Sequence, residues 1–519
     1  MQHTLSMLLF TPLFVGLLLL LVPSAQTKVF KWTPIIVGLA QFAILAMAFK
    51  SYDISLPGYQ LMEQHSWLSF QLGGNSSFQS DYIVGVDGLS FPLVALSVIV
   101  LLIASVSSLS IRTQCKGYSV LLLLLNGAIF GTFLSLDLLV FFIFFEFMLI
   151  PMYFLIGIWG GKNREYASVK FLLYTLLGSL FILVAVVGIY LSYQSNGVHT
   201  FDIRVLSNIE NAIPDGVLSP DSPSVGRFTF REWAFLLLFV GFLIKLPSVP
   251  FHTWLPDAHV EAPTPVSVVL AALLLKIGGY GLLRIAYPIF SAEAASFAWL
   301  AAILGAVSIL YGALNALASR DFKKLVAYSS VSHIGFVLVG IASGTVEGIA
   351  GAAYQLVSHG FLAAMLFLAV GVIYDRAGDR TIANYSGLAS RMKCFTAFVL
   401  IAFFASAGLP GFSGFVAEVL VLFGAFGSPF LAPWIGGAAT FGIILSAAYF
   451  LWTIQRMFFG PFQSAIACSW HDLTKRELVM FVPLALCTLA LGVYPQCLMN
   501  FLNPFAIHWV QSVIHSTPR

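Results

Sequence analysis

The chain has 519 residues, of which 59% are hydrophobic and 9% are charged. A soluble domain carries about 25% charged residues, so this composition excludes a soluble globular protein and predicts a single integral membrane domain. The formal net charge of +3 argues against a nucleic acid or another polyanion as a partner. The five cysteines show no CxxC spacing, and they therefore give no sign of a metal site, an iron–sulfur cluster or a disulfide framework.

Apolar runs long enough to cross a bilayer recur along the whole chain. The N-terminal run has no basic segment before it and is long enough to span, so we interpret it as a first span and not as a signal peptide. The sequence predicts an all-α polytopic fold with about fourteen spans, at 4–22, 32–49, 84–110, 118–134, 136–158, 168–193, 233–255, 262–288, 296–317, 322–342, 347–374, 394–423, 434–459 and 477–497. The polar segments between them are short, except at 50–83 and 195–232. Residues 501–519 are expected to form a short amphipathic tail at the membrane surface.

The distribution of basic residues predicts the orientation. Most of them lie in or beside odd-numbered loops: Lys28, Lys31, Arg112, Lys116, Lys162, Arg164, Lys170, Arg320, Lys323, Lys324, Arg376, Arg380, Arg391, Lys393, Lys475 and Arg476. The even-numbered loops carry fewer, namely Lys50, Arg204, Arg227, Arg231 and Arg284. Because short loops rich in Lys and Arg stay on the cytoplasmic side, we expect the odd loops to be cytoplasmic and both termini to lie outside.

Two proline-containing breaks interrupt the apolar runs in similar ways. The seventh span breaks at Leu246-Pro247, with Pro250 following, and the twelfth breaks at Leu409-Pro410. The breaks lie five spans apart, which favours two five-helix repeats of opposite orientation with discontinuous helices 7 and 12. The domain then divides into 1–117 (helices 1–3), 118–288 (helices 4–8), 289–460 (helices 9–13) and 461–519 (helix 14 and the tail).

Three ionisable residues of the first half fall deep inside predicted spans, where charge is costly and is usually functional. Glu146 lies about ten residues into the fifth span, or roughly 15 Å deep. Lys245 and Lys276 lie on antiparallel helices at equal distances from their connecting loop. We therefore expect them at similar depth, near the middle of the membrane, where they could face each other or a common partner.

The second half carries a similar set. His333 and His359 flank a turn near 344–347 at matching distances, and histidine changes its charge near neutral pH. Glu418 follows the second break and suits the far end of a proton-transfer chain. A hydrogen-bonded structural role is the alternative for each histidine. The resulting order, acid, lysine, lysine, histidines, acid, predicts a line of protonatable groups at mid-membrane.

Three further residues are weaker candidates. His252 and Asp257 lie nearer the cytoplasmic loop and are candidates for proton uptake. Lys324 begins the tenth span, where an anchoring role at the membrane surface is the alternative.

Long motifs of the chain resemble a known family. They are FEFMLIPMYFLIGIWGG, LPSVPFHTWLPDAHVEAPTPVSVVLA, KIGGYGLLR, SRDFKKLVAYSSVSHIGF and GLPGFSGFVAE. The chain resembles the antiporter-like proton-pumping subunits of respiratory complex I, the NADH:quinone oxidoreductase, and most closely the M type (subunit 4 in mitochondria). The resemblance runs from Val84 to at least Arg456 and implies fourteen helices with two inverted five-helix repeats.

The resemblance also implies roles for individual residues. It implies an ion pair between Glu146 and Lys245, a central relay at Lys276, and a histidine relay at His359 with His333 alongside. Glu418 matches the M type, since the L and N types and the Mrp-type antiporter subunits carry a lysine in the twelfth span. The expected mechanism is electrostatic: quinone reduction elsewhere perturbs the line, and a proton passes toward the last acid.

Cofactors and partners also follow from the resemblance. No cofactor is expected in this chain; FMN, iron–sulfur clusters and quinone are expected in partner subunits. The expected partners are L-type, N-type and small membrane subunits of complex I, in a bacterial inner membrane or an equivalent energy-transducing membrane. The alternatives are a subunit of a multisubunit Na⁺/H⁺ antiporter, a subunit of a membrane-bound hydrogenase complex, a free-standing solute transporter and a structural scaffold.

Overall fold

The computed structural model describes residues 3–71, 77–195, 197–214, 216–220, 222–464 and 470–514. The helices of the first half are α1 (Thr4–Leu19), α2 (Thr27–Ser51), α3 (Ser90–Ser107), α4 (Cys115–Leu134), α5 (Leu138–Phe147), α6 (Leu149–Trp159), α7 (Arg164–Ser192), α8 (Ile203–Leu206), α9 (Phe230–Lys245), α10 (Trp254–Glu261), α11 (Thr264–Val269), α12 (Leu275–Gly281) and α13 (Tyr287–Ile289). Those of the second half are α14 (Ser291–Ser296), α15 (Ala298–Ala318), α16 (Phe322–Ala342), α17 (Val346–Ala377), α18 (Lys393–Ser406), α19 (Ser413–Phe426), α20 (Pro433–Met457), α21 (Lys475–Val493) and α22 (Gln496–Val513). Two π-helical turns, Leu270–Leu274 and Leu282–Ala286, join α11, α12 and α13.

The helical membrane fold is confirmed. Within the described ranges, eleven helices are long and apolar enough to cross a membrane. The other three predicted spans correspond to the 16-residue helix α1 and to two interrupted helices, α9 with α10 and α18 with α19. The total of fourteen spans and the inverted relation of the two halves stay predictions.

A β-hairpin lies where the sequence predicts the first long polar segment, 50–83. The sequence analysis did not predict this hairpin. Strands β1 (Gln60–Gln71) and β2 (Ser77–Val86) pair in antiparallel fashion. The predicted third span therefore begins too early, because Val84 belongs to β2 and α3 starts only at Ser90. The hairpin is fixed to the bundle, since the Glu63 carboxylate accepts hydrogen bonds from the start of α1.

The remaining strands are two-residue pairs: β3 (Gln194–Ser195) with β4 (Val198–His199), β5 (Ser224–Val225) with β6 (Phe228–Thr229), and β7 (Tyr385–Ser386) with β8 (Gln463–Ser464). We call the end of the bundle that carries β1 and β2 the hairpin end. The opposite end carries a wide cleft between helix termini, described below.

Both predicted helix breaks are confirmed, and in each case a serine from a neighbouring helix bonds to the interrupted backbone. At the first break, the Ser308 hydroxyl of α15 accepts from the Val249 N–H at 3.0 Å. At the second, the Ser446 hydroxyl of α20 donates to the Ser406 carbonyl at 3.3 Å. Lipid offers no hydrogen bonds to the backbone N–H and C=O groups that a helix break leaves free. The two serines supply such bonds, and the breaks can therefore lie inside the membrane domain.

The core of the bundle is formed by α16, α17 and the segment Thr264–Ile289. The most apolar windows of α17 and Thr264–Ile289 are completely buried, whereas those of α2, α7 and α21 are less than half buried. Lys276 and His359 therefore lie in the interior of the bundle, on helices that are almost entirely covered by other helices.

The C-terminal segment is a packed helix and not the surface tail predicted for 501–519. Helix α22 buries Leu502 and Trp509, and the Trp509 indole N–H donates to the Leu283 carbonyl at 2.8 Å. Residues 515–519 lie outside the described residues.

Candidate functional site

The centre of the candidate site is Lys276, which lies two residues after the end of a π-helical turn. Its Nζ donates a 2.7 Å hydrogen bond to the Ala271 carbonyl and lies 2.7 Å from Nδ1 of His359 on α17. Both side chains are buried. A π-helical turn interrupts the regular pattern of backbone hydrogen bonds, and such turns are frequent at functional sites. The contact with His359 joins the two halves of the chain.

Two further groups continue from His359. The ring of His333, on α16, lies 5.6 Å from the His359 ring between centroids. Nδ1 of His333 is 3.4 Å from Oε1 of Glu418 on α19, and all three side chains are buried. The structure thus brings Lys276, His359, His333 and Glu418 together, and we call these four residues the central cluster.

The second helix break makes room for Glu418. Gly408 lies in the break with a φ of 73°, a conformation that favours glycine. A Cβ atom at this position would collide with Oε2 of Glu418. Oε1 of Glu418 makes no hydrogen bond of good geometry to any residue in the described ranges. The carboxylate therefore sits in a space that the broken backbone leaves open, with Nδ1 of His333 3.4 Å away.

The ion pair that the resemblance implies between Glu146 and Lys245 is not formed in this structure. In the part of the chain that is described, Lys245 Nζ and Glu146 Oε1 have no hydrogen-bond partner, and no ion pair within 4.0 Å joins them. Lys245 Nζ instead lies 4.3 Å from the centre of the Phe145 ring, a favourable cation–π contact. The two residues remain neighbours, because Glu146 follows Phe145 directly on α5. The arrangement is an open form of the expected pair.

Lys245 and Lys276 do not share a partner among the residues described. Lys276 bonds to Ala271 and His359, whereas Lys245 contacts only an aromatic ring as a charged group. Within the described residues the two lysines therefore have no hydrogen-bond partner in common, and their similar depth stays a prediction.

The three weaker candidates have different environments. His252 is buried against the Tyr311 ring at 5.0 Å, and neither of its ring nitrogens has a partner in the described ranges. Asp257 forms a 2.6 Å ion pair with Lys170. Lys324 is exposed, as an anchoring residue would be.

Two buried groups were missed by the sequence reading. Lys323, adjacent to exposed Lys324, is buried, and its ammonium donates to the Ala262 carbonyl. His259 is fully buried and stacks on Phe367 at 4.3 Å, with both ring nitrogens lacking partners among the described residues. For Lys323, the sequence did contain a signal. Lys323 and Lys324 are neighbours on one helix and point about 100° apart, so one of the two can face inward.

Lys323 also lines the cleft at the end of the bundle opposite the hairpin. This cleft has a volume of about 980 Å³ and contains several charged side chains, among them Arg112, Lys162, Glu261, Asp321 and Arg380. His259 and Ala262 lie on either side of Glu261, where the chain passes from α10 into α11. Buried polar groups thus begin at the cleft and approach the segment that carries Lys276.

Three buried ion pairs were also missed, because their arginines were counted as loop charges. They are Arg231–Glu293 at 2.7 Å, Arg284–Asp87 at 2.6 Å and Arg376–Glu477 at 3.0 Å. Each ion pair joins elements that are far apart in sequence, and we therefore interpret the three pairs as stabilising the bundle. Within the described ranges, no three His, Cys, Asp or Glu side chains come together as a metal site requires.

Comparison with known proteins identifies the family of the chain. Residues 135–446 match the family described as NADH:quinone oxidoreductase/Mrp antiporter, transmembrane. The chain is 41% identical to NADH-quinone oxidoreductase subunit M of Rhodobacter capsulatus, over 99% of this chain and 97% of the relative. A chain of respiratory complex I from Thermus thermophilus superposes with a TM-score of 0.82 at 31% identity, covering 98% of this chain and 99% of the other.

A chain of the Mrp complex from Dietzia sp. DQ12-45-1b also has a TM-score of 0.82, covering 99% of both chains, but at 22% identity it supports the fold alone. The family match spans more than half of the chain, and the Rhodobacter relative covers nearly all of it. The chain belongs to the NADH:quinone oxidoreductase/Mrp antiporter family of membrane proteins.

Proposed function

We propose that this chain is a proton-translocating membrane subunit of NADH:quinone oxidoreductase, respiratory complex I, of the M type. The observation that carries this proposal is the 2.7 Å contact between Lys276 and His359. It places two buried protonatable groups from the two halves of the chain in direct contact. The names of the relatives and the glutamate at position 418 support the M type.

The close contact limits the charge that this pair can hold. Two positive charges 2.7 Å apart repel by about 6 kcal/mol at an effective dielectric constant of about 20. A second proton is therefore disfavoured by about four powers of ten, and the pair holds one proton at a time. A proton on Lys276 can pass to His359 and then, by way of His333, toward Glu418. Each transfer is between side chains of neighbouring helices.

Lys245 and Glu146 supply the switch in this proposal. In the open form, Lys245 lies against the Phe145 ring and Glu146 Oε1 is unpaired within the described ranges. When the pair closes, the negative charge of Glu146 compensates Lys245, and the field of that lysine at Lys276 weakens. Opening restores the field and drives the proton away from Lys276. Quinone reduction in partner subunits is the proposed source of energy for the switch.

Protons are proposed to enter from the wide cleft. Lys323 lines this cleft, and His259 lies buried between the cleft and the segment that carries Lys276. His252 and Asp257, which the sequence suggested, remain candidates for proton uptake. The positive-inside pattern supports a cytoplasmic cleft, with odd loops cytoplasmic and both termini outside, in a bacterial inner membrane or an equivalent energy-transducing membrane. Release would follow Glu418 toward the hairpin end.

The redox groups are assigned to other chains. We propose that FMN, iron–sulfur clusters and quinone reside in partner subunits, and that this chain contacts L-type, N-type and small membrane subunits. Its own contribution is the buried line of titratable groups.

The test is proton pumping by membrane vesicles that contain the assembled complex. Replacing Lys245 or Glu146 with alanine should lower NADH-driven pumping, and NADH oxidation should fall with it if the two steps are tightly coupled. Lys28→Ala is the matched control, since Lys28 is an exposed lysine outside the line. Wild-type pumping in both variants would refute the proposal. Pumping that requires Na⁺ and continues without NADH would favour an antiporter subunit instead.

A further inference from the structure

An apolar crevice of about 570 Å³ opens on the outer surface of the bundle, between α2, α3, α17, α21 and α22. Val357 and Phe361 of α17 line it and are almost fully buried. Ala46 of α2 and Cys487 of α21 also line it. None of the residues of the proposed proton pathway lines this space. We call it the lateral crevice.

The depth of the lateral crevice matches one leaflet of a bilayer. Helix α17 begins at Val346, so Val357 lies about 16 Å along the helix at about 1.5 Å per residue. Half of the hydrocarbon core of a bilayer is about 15 Å thick. Phe361 lies about one turn deeper, at about 22 Å, so the crevice extends at least as deep as one leaflet, which is the depth that one acyl chain occupies.

Aromatic side chains surround the mouth of the lateral crevice at the hairpin end. The rings of Phe91 and Phe501 stack at 5.7 Å, and Phe49 and Tyr52 pack against Phe91. Tyrosine and tryptophan are enriched where a membrane meets water. The position of Tyr52 therefore indicates that the mouth lies at the depth of lipid head groups.

The mouth carries one positive and one negative side chain. Lys50 lines the lateral crevice and also an adjoining polar cavity, which Asp53 and Asn500 line as well. In the ranges that the structure describes, Lys50 forms no ion pair. The hydroxyl and N–H of Ser55 bond to the Asp53 carboxylate and lower the pKa of Asp53, so that it is charged at neutral pH. A ligand bound here meets both charges.

We propose that the lateral crevice binds one molecule of phosphatidylethanolamine. An acyl chain fills the apolar crevice, the phosphate lies at Lys50 and the ammonium group lies at Asp53. A lipid with only a negative head group, such as phosphatidylglycerol, matches Lys50 but faces the carboxylate of Asp53. A head group with both charges matches both residues.

The bound chain would pack against the back of a functional helix. Val357 and Phe361 are four residues apart and share one face of α17, whereas His359 lies between them in sequence and points to the other side. The lipid therefore fills the space behind the helix that presents His359 to Lys276.

Photolabelling tests this proposal directly. The probes are phosphatidylethanolamine and phosphatidylglycerol, each with a diazirine in one acyl chain, incorporated into vesicles with the assembled complex. Mass spectrometry should find phosphatidylethanolamine adducts on the peptide that contains Val357 and Phe361. Ala46→Trp places an indole in the crevice and should reduce these adducts at least about fivefold. Ala43→Trp is the matched control, because Ala43 is an exposed alanine of α2 outside the crevice and should leave labelling unchanged.

The head-group contact has a separate pair of variants. Lys50→Gln should weaken labelling about fivefold, which is the typical contribution of one basic residue at a lipid surface. Lys28→Gln, at the other end of α2, should have no effect. Equal labelling in Ala46→Trp and Ala43→Trp, or equal labelling by the two lipids, overturns the proposal. Labelling that appears only after neighbouring subunits are removed also overturns it, because the crevice then holds a protein helix.

Discussion

The replacement His359→Gln is the most direct test of proton transfer between the two halves of the chain. Nδ1 of His359 lies 2.7 Å from Lys276 Nζ, and the His359 ring lies 5.6 Å from the His333 ring between ring centres. A glutamine side chain offers a carbonyl oxygen in place of Nδ1, so Lys276 keeps a hydrogen-bond acceptor. It has no group that takes up a proton. The change therefore removes the proton relay at position 359 and leaves buried Lys276 with a hydrogen-bond acceptor.

The size of the effect follows from this geometry. In the wild type, the repulsion of about 6 kcal/mol between two charges at 2.7 Å pushes the pair to release its proton when a second one arrives. In the variant, the side chain at position 359 takes up no proton, so a proton on Lys276 has no onward acceptor there. Removal of a positioned proton-transfer group typically lowers a rate by about 10²–10⁴-fold. We expect a loss of at least about hundredfold in transfer through this subunit.

The assay is NADH-driven acidification of membrane vesicles, measured together with NADH oxidation. The ratio of protons moved to NADH oxidised should fall in His359→Gln, or both rates should fall together if coupling is tight. His508→Gln, at an exposed histidine of α22, is the matched control. Native gels establish that both variants assemble. Wild-type rates and a wild-type ratio in assembled His359→Gln would refute the reasoning.

Three further predictions follow from the same structure. Lys323→Ala should lower pumping, whereas Lys324→Ala should not, because only Lys323 is buried at the cleft; equal effects of the two in vesicle assays would contradict this. Gly408→Ala should lower pumping without preventing assembly, because the new Cβ displaces the Glu418 carboxylate and the φ of 73° is strained for alanine. Unchanged pumping would show that the open space beside Glu418 is not required. Arg284→Ala should destabilise the bundle by about 3–5 kcal/mol, since it leaves the Asp87 charge buried and unpaired. Its thermal unfolding should be partly restored by the second change Asp87→Ala, and no restoration would argue against the ion pair.

The predictable part of this protein rests on local properties of its sequence. Apolar runs of spanning length must become helices in a bilayer, because only internal hydrogen bonds satisfy their backbone. Prolines remove donors wherever they fall, so the breaks near Pro247 and Pro410 could be placed from the sequence to within a few residues of the helix ends at Lys245 and Ser406. The residues Lys276 and His359 could be singled out because a charged or titratable group inside a long apolar run is costly wherever the helix packs.

Tertiary structure decided what depends on rotation and on distant partners. A rotation of about 100° separates neighbouring helix residues, so packing alone determined that Lys323 faces inward and Lys324 faces out. The hairpin depends on pairing between strands and on hydrogen bonds from α1 to Glu63, which hydropathy does not reveal. Contact at 2.7 Å between Lys276 and His359, and its absence between Lys245 and Glu146 within the described residues, are differences of a few ångströms in side-chain position. Such differences arise from packing across the two halves and have no signature in the order of residues.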